Sequence, residues 1–278
     1  MDGYHIRIDA FDQDPDAEDR FAAQSPDLIS PVYNGVRVEG EVEYTIRIHS
    51  GYNLSSKRFA DAISKLDSTT YVFVSLGSDE ENIKAALRLR MLFARLSIYP
   101  RIQAVVYDSD KKEALKDIRN FKDQPYNIEC VGDLESTYTE SVILDSELEK
   151  DALRRHMAWL KLTDKTPEEQ AEAKRQEEAK FWGYEYNYRS SVATAIHARA
   201  RIRCGIPGAD KNEKDRTLQE RDAIELLEHR RWNAYMRSEG YIYTDGPRNE
   251  LAKMHPSLVD FSALSEEEKR KDSAVTSE

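Results

Sequence analysis

At 278 residues, with 40% apolar and 33% charged side chains, the chain is long enough for about two domains, each with its own core. A formal net charge of −11 argues against a nucleic-acid partner, which calls for a basic surface. No apolar run approaches the ~18 residues of a spanning helix, residues 1–15 carry no basic start followed by an apolar stretch, and Cys130 and Cys204 form no CxxC pair, so a soluble protein of a reducing, cytoplasmic setting is expected.

Residues Tyr4–Phe11 alternate as a strand would and end in an acidic cluster, Asp9, Asp12 and Asp14. Glu43–His49 alternates again, and Ser55 or Ser56 is placed to cap a helix over Lys57–Lys65. Tyr71–Leu76 is a continuous apolar run, the pattern of a parallel strand covered on both faces. It breaks at Gly77-Ser78-Asp79, and a long amphipathic helix is predicted from Glu80 to Leu96. Arg101–Tyr107 reads as a strand, Lys111–Phe121 as a helix and Tyr126–Val131 as a further strand. Strands alternating with helices across short turns predict a doubly wound, parallel α/β domain over about 1–150.

The stretch Tyr71–Arg95, with its apolar strand, Gly-Ser-Asp turn, Glu81-Asn82 pair and long helix ending in Leu-Arg, resembles the nucleotide-binding regulatory domain of potassium transport systems, the RCK or Trk N-terminal type. That resemblance implies a Rossmann-like parallel sheet. It gives a nucleotide role to Gly77, Ser78, Asp79 and Asn82, with Asp9 or Asp12 as the acid that holds a ribose hydroxyl. The chain departs from the family at its start, which lacks the first strand and the G-x-G-x-x-G loop that cradles a pyrophosphate. Binding of NAD(H) by the usual route is therefore not expected.

Residues 133–161 read as helical. Thr166-Pro167-Glu168-Glu169 is a helix start, and the charged, Ala-rich helix after it, through Lys180, reads as a solvated spacer. The following segment, Phe181–Gly208, packs aromatics before Tyr188-Arg189-Ser190-Ser191 and a basic helix ending at Gly205. Short basic runs at 199–203 and 229–231 suit either a solvated helix face or an anion-binding one.

A helix predicted from Asp222 carries Glu228, His229 and Trp232, and then come Gly240, Tyr241, Tyr243, Lys253, His255, Pro256, Leu258, Val259, Phe261 and Leu264. This order resembles the RyR domain, the repeat of ryanodine-receptor channels that also occurs singly in bacterial proteins. The resemblance implies a peripheral binding and modulation module rather than a catalyst. Trp232, Leu258 and Phe261 are expected in its core, and Tyr241 and Tyr243 on opposite faces of an extended segment.

No HExxH, G-x-S-x-G, P-loop or zinc-like Cys/His spacing is present, so no catalytic or metal-ligating set is predicted. The expected organisation is an RCK-like, Rossmann-like domain over 1–162, a helical spacer over 163–180 and a mainly α RyR-like domain over 181–278. The function that follows is that of a cytoplasmic regulatory protein which binds a small, nucleotide-like anion and modulates an effector or membrane channel partner, working as a homodimer. The candidate ligand residues are His229, Arg231, Trp232, Arg237, Tyr241, Tyr243, Lys253 and His255. A NAD-dependent oxidoreductase and a ligand-free interaction scaffold are the competing classes.

Overall fold

The computed structural model describes residues 6–29, 32–33, 36–37, 44–116, 120–121, 124–140, 142, 146–158, 160 and 165–269. It is a mixed α/β protein with small sheets. Along the first half run β1 (Ile6–Phe11), α1 (Ala17–Gln24), α2 (Pro26–Ile29), β2 (Val32–Tyr33), β3 (Val36–Arg37), β4 (Tyr44–His49), α3 (Lys57–Ile63), β5 (Tyr71–Val74), α4 (Asp79–Arg95) and β6 (Arg101–Val105). After these come α5 (Ser109–Lys116), β7 (Asn120–Phe121), β8 (Gln124–Pro125), β9 (Ile128–Val131), α6 (Leu134–Thr137), α7 (Glu147–Met157), α8 (Pro167–Gly183), α9 (Glu185–Arg203), α10 (Leu218–Ser238), β10 (Ile242–Tyr243) and β11 (Met254–His255).

Contacts divide the chain into two compact units, and the division differs from the expected 1–162, 163–180 and 181–278. Unit one comprises Met1–Ala10, Glu18–Arg47 and Ser146–Glu278, and unit two Phe11–Ala17 and Ile48–Asp145. The segment that begins at Glu18 belongs with the C-terminal helices because it is bound there. Ser25 Oγ donates to the Ser238 carbonyl at 3.1 Å, and α2 packs on α10.

Unit two is built on three parallel strands in the order β5–β6–β9. Ser78 caps α4, accepting from Glu81 N at 3.3 Å, and Asp79, Glu80 and Glu81 complement the helix dipole in the first turn. The buried side of α4, with Ala85, Ala86, Leu89, Leu92 and Phe93, meets Val74, Ile102 and Ala104 of the sheet and Phe59 and Ile63 of α3. The strand order follows the chain without reversal, and α4 covers the face that carries Val74, Ile102 and Ala104. Among the described residues this is not the doubly wound arrangement expected. Tyr71 and Phe73 remain 50% and 57% exposed on the other face, although the run Tyr71–Leu76 predicts burial on both sides. Arg101, Gln103 and Glu129 share that face and are tied together by side-chain hydrogen bonds, a polar row that an exposed sheet face tolerates.

Other boundaries moved for local reasons. The helix expected over Lys111–Phe121 spans Ser109–Lys116, and Asn120–Phe121 pairs antiparallel with Gln124–Pro125. Between 133 and 161 the helices α6 and α7 are separate: α6 starts at its Asp133 cap and ends at Tyr138, Glu140 and Val142 are again helical, and α7 starts anew at its Ser146 cap, in place of the expected continuous helix.

Unit one is mainly helical. α8 starts with a full capping box, Thr166 with Glu169, and Pro167 in the first turn. It is more than a solvated spacer: Phe181 is fully buried with Ala152 of α7 and Ala195 of α9. α10 begins at a second capping box, Thr217 with Glu220, four residues before the expected Asp222. Its Met236 packs with Tyr241 and Leu258 as a second apolar cluster. β10 and β11 pair in parallel, Ile242 with Met254 and Tyr243 with His255, which brings the His-Pro segment beside the end of α10. Of the expected core residues, Leu258 is fully buried, while Phe261 is half-buried in a short 3-10 turn and Trp232 is half-buried on α10.

Candidate functional site

α9 runs between the two small cores of unit one, packing Tyr188 and Val192 against one and Tyr186 against the other. Its polar residues Asn187, Ser190, Ser191 and Thr194, spaced three and four apart, line one helix face. Along that face lies a partly open cavity of about 360 Å³, lined by Arg155 and His156 of α7, Glu177 of α8, Glu228, His229, Arg231 and Trp232 of α10, and Arg248, His255, Ser257, Leu264 and Glu268 beyond it. The size is at the lower end of the ~300–1,000 Å³ usual for small-molecule sites.

Charge is arranged unevenly around it. Glu228, 1% exposed, is held by Arg231 Nε and Nη2 at 2.9 and 2.7 Å, Arg201 Nη1 at 3.1 Å and His197 Nδ1 at 3.3 Å. Asp151 meets both Arg154 at 2.5 Å and Arg155 at 3.2 Å. Glu177 meets Lys180 at 2.8 Å and has His156 Nε2 at 3.1 Å, off the hydrogen-bonding direction. Burial works to raise the Glu228 and Asp151 carboxyls, but Arg231 with His197 and Arg201, and Arg154 with Arg155, outweigh it; Glu228 falls to about 2 and Asp151 below its usual range. Lys180 leads in holding the Glu177 carboxyl low. Three carboxylates are thus each shared among two or more basic groups. Glu268, which accepts from Ser257 Oγ at 3.2 Å, adds a further carboxylate, and Arg248 is matched by Glu250.

Aromatic surface is supplied by Trp232, which stacks on His229 (centroids 5.8 Å, 26°) and meets His255 edge-on (4.9 Å, 75°). His229 Nε2 donates to the Val259 carbonyl at 2.9 Å, which also accepts from Asn233 Nδ2 at 3.0 Å. His255 Nδ1 accepts from Ser257 N at 3.1 Å, which places the ring proton of the neutral form on Nε2. Both rings are therefore fixed in orientation by the backbone.

Ser191 Oγ, His156 Nδ1 (3.4 Å), His156 Nε2 and Glu177 follow one another as the members of a hydrolytic triad do. The hydroxyl proton, however, goes to the Asn187 carbonyl at 2.7 Å, and Ser191 sits mid-helix, where backbone N–H groups are consumed by the helix. This arrangement orients His156 rather than activating Ser191.

Of the residues expected to hold a ligand, His229, Arg231, Trp232 and His255 meet on the cavity wall. The other four have different surroundings. Arg237 and Tyr241 are buried at 2% and 6%, and Tyr241 donates to Glu250 at 2.5 Å. Burial, with Glu250, pushes the Tyr241 hydroxyl well above the usual tyrosine range. Tyr243 is half-buried beside that core, and Lys253 Nζ donates to the Glu239 carbonyl at 2.5 Å, closing the end of α10. Arg155, His156, Glu177 and the hydroxyl face of α9 were not anticipated, although the spacing 187, 190, 191, 194 is a polar helical stripe legible in the chain.

The second candidate set does structural work. Asn82, fully buried, accepts from Leu76 N at 2.5 Å and donates to the Val105 carbonyl at 2.8 Å. Asp79 accepts from Tyr107 N and Asp108 N, both at 3.0 Å, and Ser78 caps α4 behind Gly77. These bonds tie the carboxyl ends of β5 and β6 together. Asp9 pairs with Arg7 at 2.6 Å in unit one, and Asp12 Oδ1 accepts from Asp14 N at 2.8 Å in unit two. Among the described residues no group of three or more His, Cys, Asp or Glu is placed to hold a metal ion. Comparison with protein-family models, with characterised proteins and with solved structures gives no match to this chain.

Proposed function

We propose that unit one is a sensing domain that takes a small, nucleotide-like anion into the α7–α10 cavity, and that the occupied protein modulates an effector or membrane partner. The observation that carries this reading is the basic lining of the cavity, Arg155, Arg231 and Arg248 with His156, His229 and His255, of which Arg231 shares Glu228 with Arg201, and Arg155 shares Asp151, behind the wall, with Arg154. A wall supplied with basic groups in this way, within a chain of net charge −11, favours an anionic guest. Trp232 and Tyr186 give surface for a ring, and Asn187, Ser190 and Thr194 give partners for sugar hydroxyls. The order Glu228, His229, Trp232 and His255 that resembles the RyR domain runs around this one cavity, in keeping with a binding and modulation role.

The RCK-like reading of unit two rests on the Tyr71–Arg95 pattern and gives it the part of a regulatory partner domain. Among the described residues no helix is long and apolar enough to cross a membrane, and a cytoplasmic setting accords with that. A homodimer would supply a neighbour to the single RyR-like copy through a two-fold contact. Light scattering over micromolar concentrations tests this, with a mass near twice that of one chain expected and a single-chain mass throughout against it.

The ligand test is a thermal-shift and calorimetric panel of nucleotides with the intact chain. A guest that binds only the folded state raises the melting temperature with concentration. Adenosine monophosphate is the first probe. Absence of any shift from mono-, di- and cyclic nucleotides at millimolar concentration would defeat the reading.

A further inference from the structure

The one acidic side chain that α8 turns toward the cavity is at odds with how that helix is held. The partly buried or buried positions of α8 are Gln170, Ala173, Glu177 and Phe181, spaced three, four and four apart, so they form a single inward stripe. Only Phe181, in the last turn, is apolar and fully buried. The first two and a half turns therefore have almost no apolar contact to hold them, and Glu177 meets His156 at 3.1 Å where a stripe residue would ordinarily be apolar.

We infer that Glu177 is an internal stand-in for the ligand's phosphate: its carboxylate occupies the His156 end of the cavity, and an entering phosphate group displaces it and frees α8 ahead of Phe181. The inference rests on the proposed sensing function and adds to it the means of output. His156 leaves room for the exchange: its Nδ1 is held beside Ser191 Oγ at 3.4 Å, while its buried Nε2 lies 3.1 Å from the carboxylate without a well-directed hydrogen bond to it. A phosphate and a carboxylate cannot share that position, since two anions in a half-buried site repel each other. The displaced side chain keeps a partner, as Lys180 lies one turn along α8 at 2.8 Å and moves with it. Phe181 stays in its cluster with Ala152 and Ala195 and acts as the hinge point. Binding energy at the cavity is thus converted into release of a charged helix end, an order-to-disorder change of the kind that switches use.

The test uses the full chain, with adenosine monophosphate and inorganic phosphate as probes. Glu177→Gln removes the competing charge at nearly constant shape and is expected to bind both probes about fivefold or more tightly than the parent. Glu172→Gln, on the same helix but with its side chain half-exposed and paired to Arg175, is the control and should match the parent. Independently of any variant, amides 167–177 of the parent should exchange hydrogen faster when adenosine monophosphate is bound. If the parent binds the probe but Glu177→Gln binds no better, or if those amides are unchanged or slowed, the displacement is refuted while the sensing function stands. If neither protein binds either probe, the sensing function itself fails, and the displacement with it.

Discussion

The Glu228 carboxylate receives both Nε and Nη2 of Arg231, three residues along the same helix, and leaves its other oxygen to Arg201 and His197. A buried acid held this way is costly to neutralise, because its cations are left without a counter-charge. Glu228→Gln should lower the unfolding free energy by about 3–5 kcal/mol, the range for breaking a buried ion pair from one side. Urea denaturation followed by circular dichroism measures it, and a loss below roughly 1 kcal/mol, the level of an exposed pair, would show the cluster to be electrostatically slack.

The same group sets a pH dependence. Its folded value is about 2, against an ordinary 4.5, so its contribution is complete above pH 4.5 and is lost as pH falls from there toward 2. The parent should lose stability through that window, and Glu228→Gln should lose less over the same range. Parallel slopes for the two proteins would place the acid sensitivity in other carboxylates.

Asn82 joins the Leu76 amide to the Val105 carbonyl with no exposure to water. Asn82→Ala leaves both groups unpaired, at roughly 1–3 kcal/mol each. A drop of at least ~2 kcal/mol in stability is expected, with amide exchange at Leu76 sharply faster. Asn82→Asp sets a second acceptor against the Val105 carbonyl and buries a carboxylate, so it should cost at least as much as Asn82→Ala at neutral pH.

Lys253 and Trp232 separate the cavity from the surface beside it. Lys253→Ala removes only the bond to the Glu239 carbonyl and should leave affinity for adenosine monophosphate within about twofold, since ~1.4 kcal/mol is needed for tenfold. Trp232→Leu removes the ring surface and should weaken that affinity by roughly tenfold to a hundredfold, the value of ~1–3 kcal/mol of stacking. Cooperative melting of both variants is checked first. The reverse order of effects would move the ligand to the β10–β11 turn.

Gly240 has a φ of 86°, and a Cβ there would stand 2.7 Å from the Gln24 carbonyl oxygen. Gly240→Ala therefore meets both backbone strain and a clash with the N-terminal segment, at about 1–3 kcal/mol for the strain alone. Limited proteolysis should show earlier cutting within residues 18–29, and an unchanged digestion pattern would mean the segment is held by other contacts.

Much of this was legible in the chain. The caps at Ser56, Ser78 and Thr166 sit where their residue types predict, and the long helix after Gly77 differs by one residue at each end. His229, Arg231 and Trp232 are grouped by one helix turn and His255 is joined to them by the RyR-like order, while the parallel strand pair that brings it there is visible only in the structure. The surroundings of Arg237 and Lys253 are not legible in the same way: the sequence records a positive charge, whereas burial of the one and a backbone acceptor for the other emerge only on folding. His156 and Glu177 were illegible because their meeting depends on how α7 and α8 pack, which periodicity along either helix does not encode. The open face of the β5–β6–β9 sheet was hidden for a related cause. Tyr71 and Phe73 look like core residues, but crossover handedness determines which side the helices cover.

The return of residues 18–47 to the C-terminal helices bears on how the protein is made. All of unit two has been synthesised once Asp145 is added, so it can fold while synthesis of the C-terminal helices continues. Unit one must wait: α2 has no α10 to rest on until Ser238 emerges, more than two hundred residues after Pro26. A nascent chain therefore holds the α2 segment without its α10 partner while more than two hundred further residues are made, and a fragment cut to begin at Ser146 would lack a piece of its own packing.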